Sequence, residues 1–263
     1  MKLAFSTLGC PDWSLQYAVE QAKTLGYQAV EIRGIKDRLR SDTIEELLPE
    51  NRAASLQFAK ENGIGFCCLG ASASFHEAEK RRENREEALA TVKLAAACGI
   101  PYVRVFGNNL VTDDEDAEIA EIAGQIRALC EEARGYDVTI LLEVHGDFNT
   151  GDRILKTADG VACDNFGIIW DIQHSREDPA RFWDRTKRLI RHVHIKDSIQ
   201  TKLCPVGEGD LPVASIVRML EHDGYDGYYS LEWEKRWHPE LRDPAEEFPS
   251  YVKFMKEVLD RQS

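Results

Sequence analysis

Eight short runs rich in β-branched and aromatic residues recur along the 263 residues, each followed by a longer stretch of helical periodicity. This alternation constrains the fold more than any other feature. The runs are "KLAFSTL", "AVEIRG", "IGFCCLG", "YVRVFGN", "TILLEVHG", "GIIWDIQH", "HVHIKDS" and "YYSLEWE". Helical stretches such as "LQYAVEQAKTLG", "TIEELLPENRAASLQFAKENG" and "HEAEKRRENREEALATVKLAAACG" place apolar residues at helical spacing and end on glycine, where the chain can turn. Strand and helix in strict alternation predict a parallel sheet covered by helices. Eight such units without linker or low-complexity segment predict one α/β domain over residues 1–263, a closed (β/α)8 TIM barrel. A doubly wound open sheet lacks its glycine signature, because no G-x-G-x-x-G follows the first run.

Charge and cysteine content narrow the function. A net charge of -13 disfavours a polyanionic partner, so no nucleic acid is expected. No apolar run is long enough to cross a bilayer, so no membrane partner is expected, and "MKLAFSTLGCPDWS" reads as a first strand rather than a signal peptide. Seven cysteines without CxxC spacing point to reduced thiols and a cytoplasmic setting, and argue against a zinc–thiolate site. The run "HEAEKRRENREE" reads as a solvated helix face.

A barrel carries its chemistry at the C-terminal ends of its strands. In "LIRHVHIKDS", strand alternation sends His192, His194 and Lys196 to one face and Val193 and Ile195 to the other. Such a face is costly to bury without partners. The fifth, sixth and eighth runs supply them: Glu143, with His145 two residues on; Asp171, followed by His174; and Glu232. Carboxylates converging at low dielectric must either take up protons or be neutralised by a cation. A divalent ion held by Glu143, Asp171, His194 and Glu232 meets that need. Three oxygens, one nitrogen and no sulfur favour Mn2+, with Mg2+, Co2+ or Zn2+ as alternatives. His192 would lie deeper in the barrel, and Lys196, nearer the rim, would face bound substrate.

The order "LEVHG…WDIQH…HVHIKD…LEWE" resembles the xylose isomerase-like superfamily of sugar isomerases and epimerases, as do "VEIRG" and "VGEGDLP". The resemblance covers nearly the whole chain. It implies a small carbohydrate substrate, one metal on Glu143, Asp171, His194 and Glu232, and proton abstraction next to the carbonyl of a keto sugar or inosose by way of an enediolate. Glu143 and Glu232 would remove and return the proton, and His174 would contact substrate. The runner-up is a lyase or dehydratase acting on an inosose or 3-keto-glycoside. Barrels of this kind are often homo-oligomers.

The pattern also departs from its relatives. Ketose 3-epimerases usually carry a glutamate and an arginine where Asn149 and Gln200 stand. The abasic-site endonucleases of the superfamily need further histidines that "GASASF", "VFGNN" and "VGEGDLP" lack, apart from His76. Other rim residues have two readings each. His145 could contact substrate or support a ligand. Lys196 could bind substrate or pair with Asp197 or Glu208. Arg33 could clamp a substrate oxygen or pair with Glu31, and Glu208 could reach substrate or stabilise its turn. Trp13 and Phe75 could shield a sugar or pack in the core. Arg236 and His238 could belong to a lid or a subunit contact.

Overall fold

The computed structural model describes residues 1–260 and is a closed barrel of eight parallel strands. Strands β1 (Lys2–Ser6), β2 (Ala29–Ile32), β3 (Gly65–Ser74), β4 (Tyr102–Phe106), β5 (Thr139–Glu143), β6 (Phe166–Asp171) and β7 (Ile190–Ile195) are followed by a short hairpin, β8 (Asp197–Ile199) and β9 (Lys202–Cys204), and by the last stave, β10 (Tyr228–Leu231). The ring closes where β1 pairs with both β2 and β10. Among the described residues, eight α-helices surround it: α1 (Leu15–Leu25), α2 (Pro49–Glu61), α3 (Arg81–Cys98), α4 (Glu115–Ala133), α5 (Gly151–Val161), α6 (Pro179–Thr186), α7 (Val213–His222) and α8 (Pro244–Asp260).

Local chemistry sets the helix ends. Ser14, Asp114 and Asp178 accept backbone hydrogen bonds at the starts of α1, α4 and α6, each satisfying an amide that the helix itself cannot. Two segments differ from the sequence reading. The stretch "TIEELLPENRAASLQFAKENG" makes a 3-10 turn at Glu45–Leu47 and is α-helical only from Pro49, because proline forces Leu48 into an extended conformation (φ -62°, ψ 152°) and favours a fresh first turn. The run "HVHIKDS" is split: β7 stops at Ile195, and Asp197–Ile199 turns away to pair antiparallel with Lys202–Cys204. The third run, read as "IGFCCLG", extends as strand to Ser74.

Strand alternation divides the buried residues into two populations. Outward-facing side chains such as Val30, Leu69, Val103, Leu142, Trp170, Val193 and Leu231 join the helices in one large apolar core. Inward-facing positions form a small cluster of Ala4, Ala29, Cys67, Cys68, Leu141 and Ile169, packed against Tyr102 and Tyr228. One residue pair further along each strand, the lumen turns charged, with Glu31, Arg104, Glu143, Asp171, His192, His194 and Glu232 all under 5% exposed. All seven cysteines are free thiols. Among the described residues, no helix is long and apolar enough to cross a membrane.

Candidate metal centre

Register brings the four predicted ligands together. Glu143 and Asp171 end β5 and β6, His194 lies opposite Asp171 across the β6–β7 ladder, and Glu232 follows the last residue of β10. One donor atom from each lies within 4.8 Å of the others, and all four residues are buried. His194 is the hub. Its Nδ1 is 3.2 Å from both Glu143 Oε1 and Glu232 Oε2, while Nε2 lies 3.0 and 3.1 Å from the two oxygens of Glu31. Glu31 is in turn held by His192 Nε2 and by the Ser230 hydroxyl, both at 2.8 Å. A carboxylate on the far nitrogen of a ligating histidine orients the ring and fixes its tautomer. The deeper position expected for His192 is therefore a hydrogen-bonded one.

Besides Glu31, two residues reach the cluster that the sequence reading did not assign to it. Arg104, inside "YVRVF", donates to Glu143 Oε2 at 2.6 Å and stacks its guanidinium 4.0 Å from the Phe106 ring centre. Its Nε and Nη2 atoms have no hydrogen-bond partner. The signal was legible: a lone charge at an inward position between two aromatic residues is buried in any barrel. Glu234 is the other, and only the folded chain shows its partner. Lys196 Nζ lies 2.6 Å from Glu234 Oε1, 2.7 Å from Glu232 Oε2 and 2.9 Å from Asp171 Oδ2. Lys196 thus pairs with neither Asp197 nor Glu208.

The electrostatics follow from these contacts. Burial works to raise the Glu31 pKa, but the charge on His194 and the hydrogen bonds from His192 and His194 hold it well below the usual carboxylate range. Burial and the neighbouring Glu232 push Glu143 up, yet Arg104 and His194 keep it low. Glu232 is likewise held down, against burial, by His194 and Lys196. Burial opposes a charge on His194, but Glu232, Glu31 and Glu143 together carry its pKa well above the ordinary value.

The donor set fits a divalent ion on two further counts. Asp171 Oδ2 and Glu232 Oε2 are buried and receive no directed hydrogen bond; Lys196 is within ion-pair distance of both but directs its bond to Glu234. The other Asp171 oxygen accepts from the amides of Gln173 and His174, which leaves Oδ2 facing the cluster. Secondly, Glu31, Glu143, Asp171, Glu232 and Glu234 outnumber Arg33, Arg104 and Lys196 by two. A cation held among these carboxylates would offset that excess of negative charge.

The remaining predicted residues divide. His145 and His174 come together on the rim, ring centres 4.2 Å apart, with His145 Nδ1 3.1 Å from Asn108 Oδ1. Burial lowers the His145 pKa, Glu143 opposes that and His174 adds to it. Arg33 binds the Ser72 hydroxyl at 3.1 Å and the Leu39 carbonyl at 3.4 Å, and makes no ion pair with Glu31. Its place depends on Gly70, where a Cβ would stand 2.5 Å from Arg33 Cδ and 2.9 Å from Arg104 Nη2.

Glu208 is not brought to the cluster. It is exposed and pairs with Arg242 at 3.1 Å, because its loop wraps around Asp197, whose carboxylate accepts from the amides of Ser198, Gly207, Gly209 and Leu211. Within "VGEGD" it is the Gly207 and Gly209 amides, bonded to Asp197, that tie the turn, while Glu208 itself faces Arg242. Phe75 is fully buried and Trp13 packs edge-on against Phe5, Tyr17 and Phe248, so both serve the core. The Arg236 side chain ties the last loop to the carbonyl of Lys36. His238 lines a cavity of about 280 Å3 beside the cluster, together with Gln173, His174, Arg176, Gln200 and Glu234.

The chain matches the xylose isomerase-like TIM barrel family over residues 19–258 and belongs to it. No curated protein matches it by sequence. Among solved structures, it is similar to the probable 3-DHS dehydratase AsbF of Bacillus anthracis (TM-score 0.80, 19% identity, 99% of each chain covered). It is also similar to the IolI protein crystallised with a zinc atom (TM-score 0.79, 20% identity, 99% of each chain). A third similar structure is the 3-keto-D-glucoside 4-epimerase YcjR of E. coli (TM-score 0.78, 19% identity, 98% of this chain and 99% of that one). At such identities the likeness establishes the fold.

Proposed function

We propose that the protein is a divalent-metal-dependent isomerase or epimerase of a keto sugar or inosose. The observation that carries this reading is the buried Glu143–Asp171–His194–Glu232 set, with two carboxylates disposed about a single imidazole nitrogen. The four residues would hold the ion, with Mn2+ favoured by the oxygen-rich donors and Mg2+, Co2+ or Zn2+ as alternatives. When bound, the ion supplies Lewis acidity that polarises the carbonyl next to the reacting carbon. Glu143 and Glu232 would reach the reacting carbon to remove and return the proton. Neighbouring cations hold both ionised before reaction, so either can take up the proton, and the carboxylic acid formed in that step is the group that gives it back. Arg104 and Arg33, the guanidinium groups near the cluster, would stabilise negative charge on the enediolate oxygens. His174 and His145 bind hydroxyl groups at the rim, as does Lys196 from the cluster's edge.

The experiment is a panel of keto sugars and inososes in D2O with Mn2+, followed by NMR. Solvent deuterium at one carbon with the skeleton intact supports isomerisation or epimerisation. Loss of water or an aglycone supports the second reading, a lyase acting on an inosose or 3-keto-glycoside, which the 280 Å3 cavity beside the cluster favours by leaving room for a substituent on the reacting ring. Failure of every substrate to exchange a carbon-bound proton, with metal bound, would rule out both.

A further inference from the structure

Lys196 is 3% exposed and its ammonium touches three carboxylates. Two of them, Asp171 and Glu232, belong to the four-ligand set, and the atoms it approaches are two buried oxygens that receive no directed hydrogen bond, Glu232 Oε2 also lying 3.2 Å from His194 Nδ1. The third, Glu234, lies outside the set on the segment after β10, and its side chain is 20% exposed. Backbone geometry holds the root of Lys196 in place, two residues beyond His194, but the four-carbon stem can swing its charge. An ion among the same oxygens would stand a few ångströms from the ammonium, and like charges at that distance repel strongly inside a protein. Without any cation, Asp171 and Glu232 would repel each other instead.

We propose that Lys196 is a built-in competitor for the divalent cation. Its ammonium bridges Asp171 and Glu232 and holds these ligands together. It withdraws toward Glu234 when the ion enters. The Lys196–Glu234 pair thereby sets the affinity of the site, exchanging tight binding for a centre that keeps its shape before loading. This inference rests on the metal reading of the cluster and concerns a different quantity, the strength of binding rather than its existence.

Calorimetric titration with Mn2+ at one fixed pH, and thermal unfolding with and without Mn2+ after chelation, test it on the full-length chain. Lys196→Met should bind Mn2+ at least tenfold more tightly than the wild type. It should melt lower than the wild type after chelation and gain more on adding Mn2+. Lys196→Arg, which keeps the charge, should stay within about threefold of wild-type affinity. Glu234→Gln, which removes the ammonium's outer partner, should weaken Mn2+ binding severalfold. Unchanged or weaker Mn2+ binding by Lys196→Met would overturn the proposal. If that variant does not fold without metal, unchanged or tighter binding by Glu234→Gln overturns it equally. Absence of Mn2+ binding in both the wild type and Lys196→Met would sink the metal reading and the proposal with it.

Discussion

The two sides of one sheet are built on opposite principles. Outside the barrel, between strands and helices, the strands bury Val, Ile, Leu and aromatic side chains with scarcely a charge among them. Inside, a shell of small and apolar residues at the lower end gives way to carboxylates, guanidinium groups and imidazoles, nearly all fully buried. The outer layer lowers free energy by removing apolar surface from water. The lumen desolvates charges, which costs energy that their mutual pairing only partly returns. Stability comes from one face of the sheet and chemistry from the other. The same strands carry both because successive side chains point in opposite directions.

If that division holds, substitutions on the two sides should separate activity from stability. The largest effect expected is on catalysis: Glu143→Gln should lower turnover of a responsive keto sugar by about 100-fold or more, with reduced metal content by elemental analysis. Its thermal unfolding should shift far less than that of a core variant. Phe248→Ala is the counterpart. Phe248 is fully buried against Phe5, Trp13 and Tyr27, so its truncation should cost about 3–5 kcal/mol by urea unfolding. Metal binding by the folded fraction should be unchanged. A core variant that lost metal while remaining folded would break the comparison.

The next prediction sharpens it. Glu31 touches no candidate substrate position but orients His194, and carboxylates in that role typically contribute 10–100-fold to metal affinity. Glu31→Gln should weaken Mn2+ binding by about that factor in a calorimetric titration, while helix content by circular dichroism stays as in the wild type.

The smallest expected effect contrasts two buried carboxyl populations. In the lumen, neighbouring cations overcome burial and depress the carboxyl pKa values. In the outer layer Glu247 on α8 is also fully buried, and burial lifts its pKa to about 7, the Val206 amide and Arg242 offsetting only part of the rise. A raised carboxyl pKa means that the folded state holds a proton the unfolded state has released. Its contribution is therefore complete below the ordinary carboxylate pKa and is lost as pH climbs towards 7, with a ceiling of about 3 kcal/mol. Urea unfolding at pH 5 and pH 7 should show stability falling over that interval, and Glu247→Gln should flatten the slope.

Several of these residues could be read before folding was considered, and others could not. Glu143, Asp171 and Glu232 each follow an apolar run, and a charged residue at the end of a buried strand is conspicuous in any sequence. Their convergence required only the eightfold strand–helix alternation, since neighbouring parallel strands bring their C-terminal ends together. Arg104 carries the same kind of signal within "YVRVF", but it sits in the middle of its strand, where a charge does not mark the barrel mouth. Glu31 was legible as an inward residue, but its partner was not: the bond to His192 joins residues 161 apart in sequence. Lys196 falls one residue beyond β7, yet it is buried on the cluster side, where strand alternation points it. The three carboxylates it meets lie on β6, at the end of β10 and beyond it, and no local pattern names them. Glu208 looked like a rim residue until the loop closed on Asp197, and four amide bonds to one carboxylate exist only once that loop has folded.

By itself, the sequence determined the alternation of strand and helix, the two-sidedness of each strand and the set of charged residues at the strand ends, because propensity and residue parity act over a few neighbouring positions. Only the tertiary structure decided which charge answers which. Closing the ring sets distances between strands far apart in the chain, and in a medium of low dielectric those distances fix every proton and ion pair of the lumen.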